Sequence, residues 1–250
     1  MINFISSFAS RISHYLNNKK RLRSLKNSPA HFLKLGHIDS LELLQLIQSE
    51  QKIDVIYDIG ANIGDWTTLA KAIFPESKVF CFEPLKNHIE KFKTQTADLK
   101  DVNLQPFALG NSETTTTMNL TSFSDASSIL PITDVMYSEY QITKVAEEEI
   151  EVKRLDDLIK DKEIPEPDLI KLDIQGYELE ALKGGIKALE NATYVIMEVS
   201  FISYYDNQPL FEDVIIFMNQ HHFKLKAFGQ EIRRGRVFSQ LDILFYNSKR

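Results

Sequence analysis

Apolar positions along the chain follow two spacings, which predict helices alternating with buried strands. Apolar residues recur every three or four positions between Ile38 and Ile47, as on one face of a helix that Asp39 or Ser40 could cap. Residues 53–58 are β-branched and almost continuously apolar, which is typical of a parallel strand covered on both faces. The same alternation predicts a helix at 64–74, a strand at 78–82, a helix at 85–97 and a strand at 102–107.

Residues 111–150 interrupt this alternation with four consecutive threonines, a serine-rich piece at 122–128 and an acidic run at 147–149. We expect an insertion in which residues 118–120 and 150–153 pair as short strands, with 121–149 as a loop near the site, because long loops are usually functional or mobile. The alternation then resumes with predicted strands at 168–172 and 194–199, a helix from about residue 177, and two late strands at 223–228 and 241–246.

The order of these elements predicts one α/β domain over residues 51–250. Its Rossmann-like, seven-stranded and mostly parallel sheet should carry helices on both faces, because each parallel connection needs a crossover helix. Ligands of such sheets bind beyond the carboxyl ends of the strands, so chemically active residues are expected at strand ends.

Residues 1–50 are predicted to form an N-terminal helical extension with a basic character. Apolar spacing predicts an amphipathic helix at 2–17, followed by a basic run. Seven of the 29 basic residues precede Asp39, the first acidic residue, which leaves 22 basic against 35 acidic residues in the remainder. This balance argues against a nucleic-acid partner for the core domain. We expect the helix to pack on the domain or on a second copy in a homodimer, with contact to a membrane surface or a partner protein left open.

Cysteine content and hydropathy bear on the location of the protein. The single cysteine, Cys81, lies between Phe80 and Phe82 in a predicted strand, which favours a buried structural thiol. No uninterrupted apolar stretch reaches the length of a membrane span. We therefore expect a soluble, cytoplasmic protein, with membrane association through the N-terminal helix left open.

Glycines and acids stand where the first two predicted strands end. The loop D-I-G-A-N-I-G occupies residues 58–64, where Gly60 permits a tight turn and the close approach of a ligand. The free N–H groups of the helix that Gly64 opens could hold a carboxylate. Glu83 ends the second strand, directly before Pro84, in the position where a carboxylate accepts both hydroxyls of a ribose.

This loop differs from the fingerprint of a dinucleotide site, G-x-G-x-x-G, because it has D-x-G-x-x-x-G. An aspartate at the strand end suits the sulfonium and ammonium of S-adenosyl-L-methionine, whereas it would repel a pyrophosphate. The sequence therefore predicts S-adenosyl-L-methionine as the cofactor, with contacts from Asp58, Gly60, Ala61, Asn62, Gly64, Glu83, Pro84, Ala108, Asp173 and Gln175. Because all of these lie beyond the N-terminal extension, we expect the first 26 residues to be dispensable for cofactor binding.

A second motif, I-K-L-D-I-Q-G-Y-E at residues 170–178, places Asp173 and Gln175 at the end of the fourth strand. With this motif, the D-x-G-A-N-x-G loop, the F-E-P strand end and the E-V at 198–199, the chain resembles the FkbM family of methyltransferases over roughly residues 50–247. The resemblance implies a class I methyltransferase fold and O-methylation, often of a sugar hydroxyl in a polysaccharide or a glycosylated natural product. Gln175 stands where many members of the family carry Glu.

Methyl transfer from an activated donor mainly requires an acceptor held close to the methyl group, with its proton removed. Asp173 and Glu198 are the favoured candidates for the base. Asp173 could instead orient the cofactor or the acceptor. Asp242 is a further candidate, Glu178 could instead complement a helix dipole, and the pair at 221–222 could instead cap a helix. No His or Cys spacing typical of a metal site occurs, although an ion shared by Asp173 and Glu198 remains an alternative.

The main functional prediction is therefore an O-methyltransferase that acts on a small molecule or a glycan. Three alternatives remain open at this stage: an N-methyltransferase, a non-catalytic methyltransferase-like module that docks on a membrane or a biosynthetic complex, and a nicotinamide oxidoreductase. Trp66, two residues into the helix after the glycine loop, is predicted to belong to the core or to the wall of the cofactor pocket rather than to an acceptor platform.

Overall fold

A computed structural model of the chain describes residues 16–161, 164–234 and 237–250. Strands in these residues form a seven-stranded and a three-stranded sheet. The strands are β1 (Val55–Ile59), β2 (Lys78–Phe82), β3 (Val102–Gln105), β4 (Ala108–Leu109), β5 (Thr114–Thr121), β6 (Lys144–Lys153), β7 (Leu169–Leu172), β8 (Tyr194–Ser200), β9 (Phe223–Arg234) and β10 (Val237–Asn247). The α-helices are α1 (Leu41–Glu50), α2 (Asp65–Ile73), α3 (Lys86–Gln95), α4 (Asp134–Tyr140), α5 (Leu155–Lys160), α6 (Glu178–Lys183), α7 (Ile186–Asn191) and α8 (Phe211–Gln220).

The large sheet has the strand order β3-β2-β1-β7-β8-β10-β9. Its first five strands are parallel, and β10 runs antiparallel to both of its neighbours. The chain order reverses between β1 and β7, so the ligand crevice is expected at the carboxyl ends of these two strands. The predicted α/β, seven-stranded and mostly parallel Rossmann-like fold is confirmed.

Helices cover both faces of this sheet, as predicted. Because side chains alternate between the faces of a strand, the sheet contributes to two separate cores. On one face, Tyr57, Leu172 and Phe245 pack with helices α5 to α8. On the other face, Ile56 and Ile196 pack with helices α1 to α3.

The N-terminal extension packs on the second of these cores. Residues 16–24 are helical, so the basic run that was expected to follow a helix is itself helical, while most of the predicted amphipathic helix at 2–17 lies outside the described residues. The guanidinium of buried Arg21 donates to the carbonyl of Ile38 at 2.5 Å and pairs with Glu42 at 2.7 Å. Leu25 joins the core on this face of the sheet. The boundary at residue 50 stays a prediction.

The insertion forms longer strands than the sequence predicted. β5 and β6 pair antiparallel along their length, so Asn119 opposes Glu147 and the acidic run lies within β6 rather than in a loop. α4 lies in the connection between them. The expected strands at 118–120 and 150–153 lie in this pair, but they were too short and in the wrong register, because residues 118–120 oppose 146–148 and residues 150–152 oppose 114–116. Threonines favour strands, but exposed threonine and glutamate side chains give no apolar alternation that would reveal these strands.

Two smaller expectations concern Cys81 and membrane spans. Cys81 is completely buried in β2, and burial holds the pKa of its thiol well above the usual range, as expected for a structural thiol. Within the described ranges, no helix combines the length and the apolar character that crossing a membrane requires.

Candidate active site at the carboxyl edge of the sheet

A cavity of 520 Å³ lies at the carboxyl ends of β1, β2, β7 and β8. This volume is within the usual range for a small-molecule site. Its lining includes most of the predicted site residues, namely Gly60, Ala61, Asn62, Glu83, Pro84, Ala108, Asp173, Gln175 and Glu198. Asp58 and Gly64 do not line it. The structure therefore brings together nine of the eleven residues that the sequence singled out.

Glu83 closes one end of the cavity, where the chain leaves β2. One carboxylate oxygen accepts the backbone N–H of Asn62 at 3.0 Å, and the other accepts that of Leu85 at 2.9 Å. These two bonds fix the carboxylate against the glycine loop and leave lone pairs for a ligand, because an ionised carboxylate has about four acceptor sites. Glu83 thus joins the ends of β1 and β2 at one polar position.

Two further polar atoms at this end make no hydrogen bond within the described residues. Asn62 Oδ1 is buried without a partner, and His88 Nδ1 is buried 3.3 Å from a Glu83 oxygen, and both residues line the cavity. Buried polar atoms normally find hydrogen-bond partners, so these atoms beside a carboxylate fit a ligand rich in hydroxyl and amino groups, such as an adenosine. His88 was not among the predicted site residues. The sequence feature that could have revealed His88 is its position at the start of α3, shortly after the F-E-P strand end.

The two glycines of the loop are also required by contacts within the chain. A Cβ on Gly60 would lie 2.0 Å from the carbonyl oxygen of Asp173, so this glycine allows the loop to approach the end of β7. A Cβ on Gly64 would meet Thr96 and Phe92 at about 3 Å, and its φ of +95° also favours glycine. Both glycines serve packing within the chain. At the start of α2, Asp65 lies 2.6 Å from His37 and accepts a hydrogen bond from Gln95, and its carboxylate makes this helix terminus less favourable for an anionic ligand.

Asp58 lies beneath the cavity floor instead of facing a ligand. It is fully buried, accepts a hydrogen bond from Thr67 Oγ1 at 2.6 Å, and has its other oxygen 3.3 Å from Lys171 Nζ. Burial raises the pKa of Asp58, and the Lys171 ammonium opposes that change. The cation that Asp58 neutralises in this structure is therefore a lysine of the neighbouring strand, which corrects its predicted role as a direct contact.

Lys171 is another residue near the site that the sequence did not reveal. It is buried in β7, donates to the carbonyl of Gly60 at 3.2 Å, and lies 3.8 Å from Asp173. Burial lowers its pKa, but the carboxylates of Asp58, Asp173 and Asp242 outweigh burial and raise the pKa overall. A charged residue inside the otherwise apolar I-K-L strand was the signal that could have revealed it.

Asp173 and Glu198 occur side by side, held by amide groups. The side-chain amide of Gln175 donates to Asp173 at 2.8 Å and to Glu198 at 3.3 Å, and the amide of Gln240 donates to Glu198 at 3.0 Å. Tyr205 donates its hydroxyl to the Gln175 carbonyl at 2.7 Å, which fixes the orientation of that amide. Gln175 has a φ of +57°, an uncommon conformation for a residue other than glycine.

These two carboxyl groups differ in their environment. Asp173 is partly exposed to the cavity. Burial holds the pKa of Glu198 well above its usual range, and the nearby carboxylates of Asp173 and Asp242 raise it further. Burial and these neighbouring carboxylates therefore disfavour the ionised form of Glu198.

Asp242 completes the cluster on the strand next to β8. It opposes Glu198 directly in the register of β8 and β10 and accepts the hydroxyl of Ser40 at 2.5 Å. Burial raises the pKa of Asp242 to about 6, while its bond to Ser40 opposes the increase. Ser40 also accepts the indole N–H of Trp66 at 3.2 Å. Trp66 is thus part of the cavity wall, as predicted.

Residues of the N-terminal extension also line this cavity, which the sequence did not predict. Gly36, His37, Asp39 and Ser40 all contribute to the wall. The cause is tertiary, because Arg21 holds this segment against the sheet through the carbonyl of Ile38. The expectation that the first 26 residues are dispensable for cofactor binding stays a prediction.

The remaining candidate bases do not face the cavity. Glu178 accepts the backbone N–H groups of Ile174 and Gly176 at 2.9 and 3.1 Å, which closes the turn before α6, and burial raises its pKa to about 7. His221 and His222 follow α8 at the start of β9, at the opposite edge of the sheet. Among the described residues, no cluster of three or more His, Cys, Asp or Glu side chains could hold a metal ion.

Comparison with known proteins extends these observations. The model of the FkbM methyltransferase domain matches residues 58–225. The hexuronic acid methyltransferase AglP of Haloferax volcanii is 26% identical over 200 residues, which are 80% of this chain and 74% of that protein. The 2-O-methyltransferase NoeI of Sinorhizobium fredii is 26% identical over 66% of this chain and 71% of its own length.

A solved structure with the same architecture is the magnesium protoporphyrin IX methyltransferase ChlM of Synechocystis with bound S-adenosylmethionine. It is 8% identical, with a TM-score of 0.47 over 84% of this chain and 81% of that one. The family match covers most of the chain and includes both the glycine loop and the K-x-D motif. The chain therefore belongs to the FkbM family of S-adenosylmethionine-dependent methyltransferases.

Proposed function

We propose that this methyltransferase transfers the methyl group to a hydroxyl of a sugar, either in a polysaccharide or in a glycosylated small molecule. The observation that carries the proposal is the carboxylate of Asp173, partly exposed in the cavity beside the glycine loop. The names of two relatives, a hexuronic acid methyltransferase and a 2-O-methyltransferase, support the same acceptor class.

In this proposal, the end of the cavity next to Glu83 holds the donor. Glu83 accepts the ribose hydroxyls, Asn62 and His88 supply further polar contacts, and Ala61, Pro84 and Ala108 form the walls, all of them residues of the cavity lining. S-adenosyl-L-methionine supplies an already activated methyl group when bound. The protein then has to exclude water, align the acceptor and remove one proton.

Asp173 is the proposed base, because it is the partly exposed carboxylate next to the donor end. Gln175 donates to Asp173 and so fixes the direction of its free oxygen. The Lys171 ammonium lies 3.8 Å from the other oxygen of Asp173. Glu198, whose ionised form is disfavoured by burial, is proposed to donate a hydrogen bond to the acceptor. The hydroxyl that receives the methyl group would then lie between a hydrogen-bond acceptor, Asp173, and a hydrogen-bond donor, Glu198.

Replacing Glu83 by Ala is expected to weaken the binding of S-adenosylhomocysteine by about 1.5 to 3 kcal/mol, the range for hydrogen bonds to a charged group. Calorimetric titration measures the change. Glu90→Ala is a matched control, because Glu90 is an exposed acid of α3 that pairs with Lys93 outside the cavity. Unchanged affinity in a folded Glu83→Ala protein would remove Glu83 from the donor site.

The proposed function is tested by incubating the protein with S-adenosylmethionine and a panel of neutral, amino and acidic glycosides. Mass spectrometry would detect one added methyl group, and NMR would locate it. A methyl ether on a ring hydroxyl supports the proposal. Methylation of an amino group alone would favour an N-methyltransferase, and donor binding without transfer to any glycoside would argue for another acceptor class.

The proposed partner is a small-molecule or glycan acceptor and not a nucleic acid, because 22 basic residues against 35 acidic ones follow residue 38. A homodimer and membrane contact through the N-terminal helix stay predictions. Light scattering and liposome sedimentation of the whole chain, compared with a chain that lacks residues 2–15, would test both.

A further inference from the structure

We propose that Phe123 and Tyr140 form an outer subsite that stacks on a second ring of the acceptor. The acceptor would then be a glycoside of at least two rings rather than a free monosaccharide. This inference rests on the proposed function. It adds the number of rings in the acceptor and the two residues that contact the second ring.

The size of the cavity is the first argument. Its 520 Å³ is the volume of a site for one small-molecule ligand. Because the donor takes the end lined by Glu83, an acceptor can place only its reacting part inside, next to Asp173. The rest of the acceptor must lie at the mouth, so residues at the mouth determine which acceptors bind.

Exposed aromatic rings at this mouth are the second argument. Phe123 is 55% exposed and Tyr140 is 45% exposed, yet both line the cavity. A single exposed apolar residue is ordinary, but two large rings at one opening mark an interaction site. Both belong to the insertion at 111–150, whose other residues Met118, Met136 and Ile142 also line the cavity.

The backbone of Phe123 and the ring of Tyr140 are held in place before any ligand arrives. The carbonyl of Phe123 accepts from Thr121 Oγ1 at 2.6 Å and from the N–H of Ala126 at 2.9 Å, which fixes the backbone that carries the ring. Tyr140 packs against Tyr204 with ring centroids 5.6 Å apart, and its hydroxyl lies 3.3 Å from that of Tyr204. Ordering these rings therefore costs little entropy on binding.

The chemistry of such rings suits a sugar. A pyranose presents C–H groups on its ring faces and hydroxyls at its edges, so an aromatic ring covers a face and leaves the hydroxyls in water. Phenylalanine and tyrosine supply this contact at low entropic cost, because each has only two side-chain torsions. A monosaccharide held at Asp173 would leave the outer rings uncovered, whereas a second sugar ring would cover them.

The test compares matched acceptors that differ by one ring. Calorimetry, in the presence of saturating S-adenosylhomocysteine, would measure the affinities of methyl β-D-glucopyranoside and methyl β-cellobioside, and of the corresponding mannose and galactose pairs. In at least one pair the disaccharide is expected to bind about tenfold more tightly, which corresponds to about 1.4 kcal/mol. Equal affinities in every pair, or no binding of any disaccharide, overturn the proposal.

Variants then test whether the two rings cause the higher affinity for the disaccharide. Phe123→Ala and Tyr140→Ala are each expected to reduce the tenfold gain to about threefold or less, whereas Tyr140→Phe, which keeps the ring, should retain it. Tyr137→Ala is the matched control, because Tyr137 is 54% exposed on the same helix but does not line the cavity. A gain that survives in the Phe123→Ala/Tyr140→Ala double variant overturns the subsite.

The failure of this inference can be told apart from failure of the proposed function. Methyl transfer to monosaccharides and disaccharides at equal efficiency would leave the sugar O-methyltransferase standing without an outer subsite. The absence of transfer to every glycoside, with the donor bound, would contradict the proposed function itself.

Discussion

Replacement of Asp173 by Asn is expected to slow methyl transfer by about 10²- to 10⁴-fold, the usual contribution of a positioned general base. Asparagine keeps the shape of the side chain and can still accept a hydrogen bond from Gln175, but it cannot take the proton of the acceptor. Single-turnover rates measure the effect on the chemical step. Affinity for S-adenosylhomocysteine should remain within about twofold, because the proposed donor contacts lie at the Glu83 end.

Glu198→Gln is the informative companion variant. Burial raises the pKa of Glu198 well above its usual range and so favours its neutral form, and glutamine has a similar shape and can also donate a hydrogen bond. We expect a loss of about tenfold or less. A slow Glu198→Gln protein beside an unimpaired Asp173→Asn protein would assign the base to Glu198. Two fast variants would mean that positioning alone carries the reaction.

Replacement of Lys171 by Met is expected to lower the free energy of unfolding by about 3 to 5 kcal/mol at neutral pH, because it leaves a buried carboxylate without its counterion. Asp58 is fully buried, and the Lys171 ammonium is the cation nearest to it in the described structure. Urea unfolding followed by circular dichroism would measure the change.

The loss of unfolding free energy in Lys171→Met should be larger at high pH than at low pH. Burial already raises the pKa of Asp58, and without Lys171 that pKa would rise further. A carboxyl group with a raised pKa in the folded state stabilises the fold at low pH, and that stability is lost as the pH rises through the folded pKa. The difference in unfolding free energy between Lys171→Met and the parent protein should therefore be smaller at pH 5 than at pH 8.

A second buried lysine supplies the control. Lys71 donates to the carbonyls of Pro75 and Ser77 at 2.6 and 2.7 Å and has no carboxylate within ion-pair distance in the described structure. Lys71→Met should destabilise the protein to about the same extent at both pH values, because no buried acid loses its partner. If Lys171→Met also lost the same unfolding free energy at pH 5 and at pH 8, the result would contradict the proposed ion pair.

The parallel part of the fold could be predicted because its strands are buried on both faces. Such strands, as at 78–82 and 169–172, are almost continuously apolar and end in glycine or an acid, so both their position and their direction are visible in the sequence. The donor end of the site could also be predicted from the sequence, because Gly60 and Glu83 mark the ends of neighbouring strands. The strands of the insertion were underestimated for the opposite reason, since threonine and glutamate on exposed faces carry no apolar signal.

The orientation of Asp58 could not be predicted, because it depends on the register between strands. Asp58 opposes Lys171 only because β1 and β7 are neighbours with Tyr57 beside Ile170. A single sequence shows which residues end a strand, but not which residue of a distant strand lies beside them. The same limit hid the contact of Ser40 with Asp242, which joins positions 202 residues apart.

The place of Trp66 has a spectroscopic consequence. It is the single tryptophan of the chain, it lines the cavity, and its indole N–H donates to Ser40 while the Lys171 ammonium lies 5.8 Å from the ring centre. Indole emission responds to the polarity and the charges around the ring. The intrinsic fluorescence of the unlabelled protein therefore originates at the wall of the cavity, so it should report ligand entry optically, without background from a second indole.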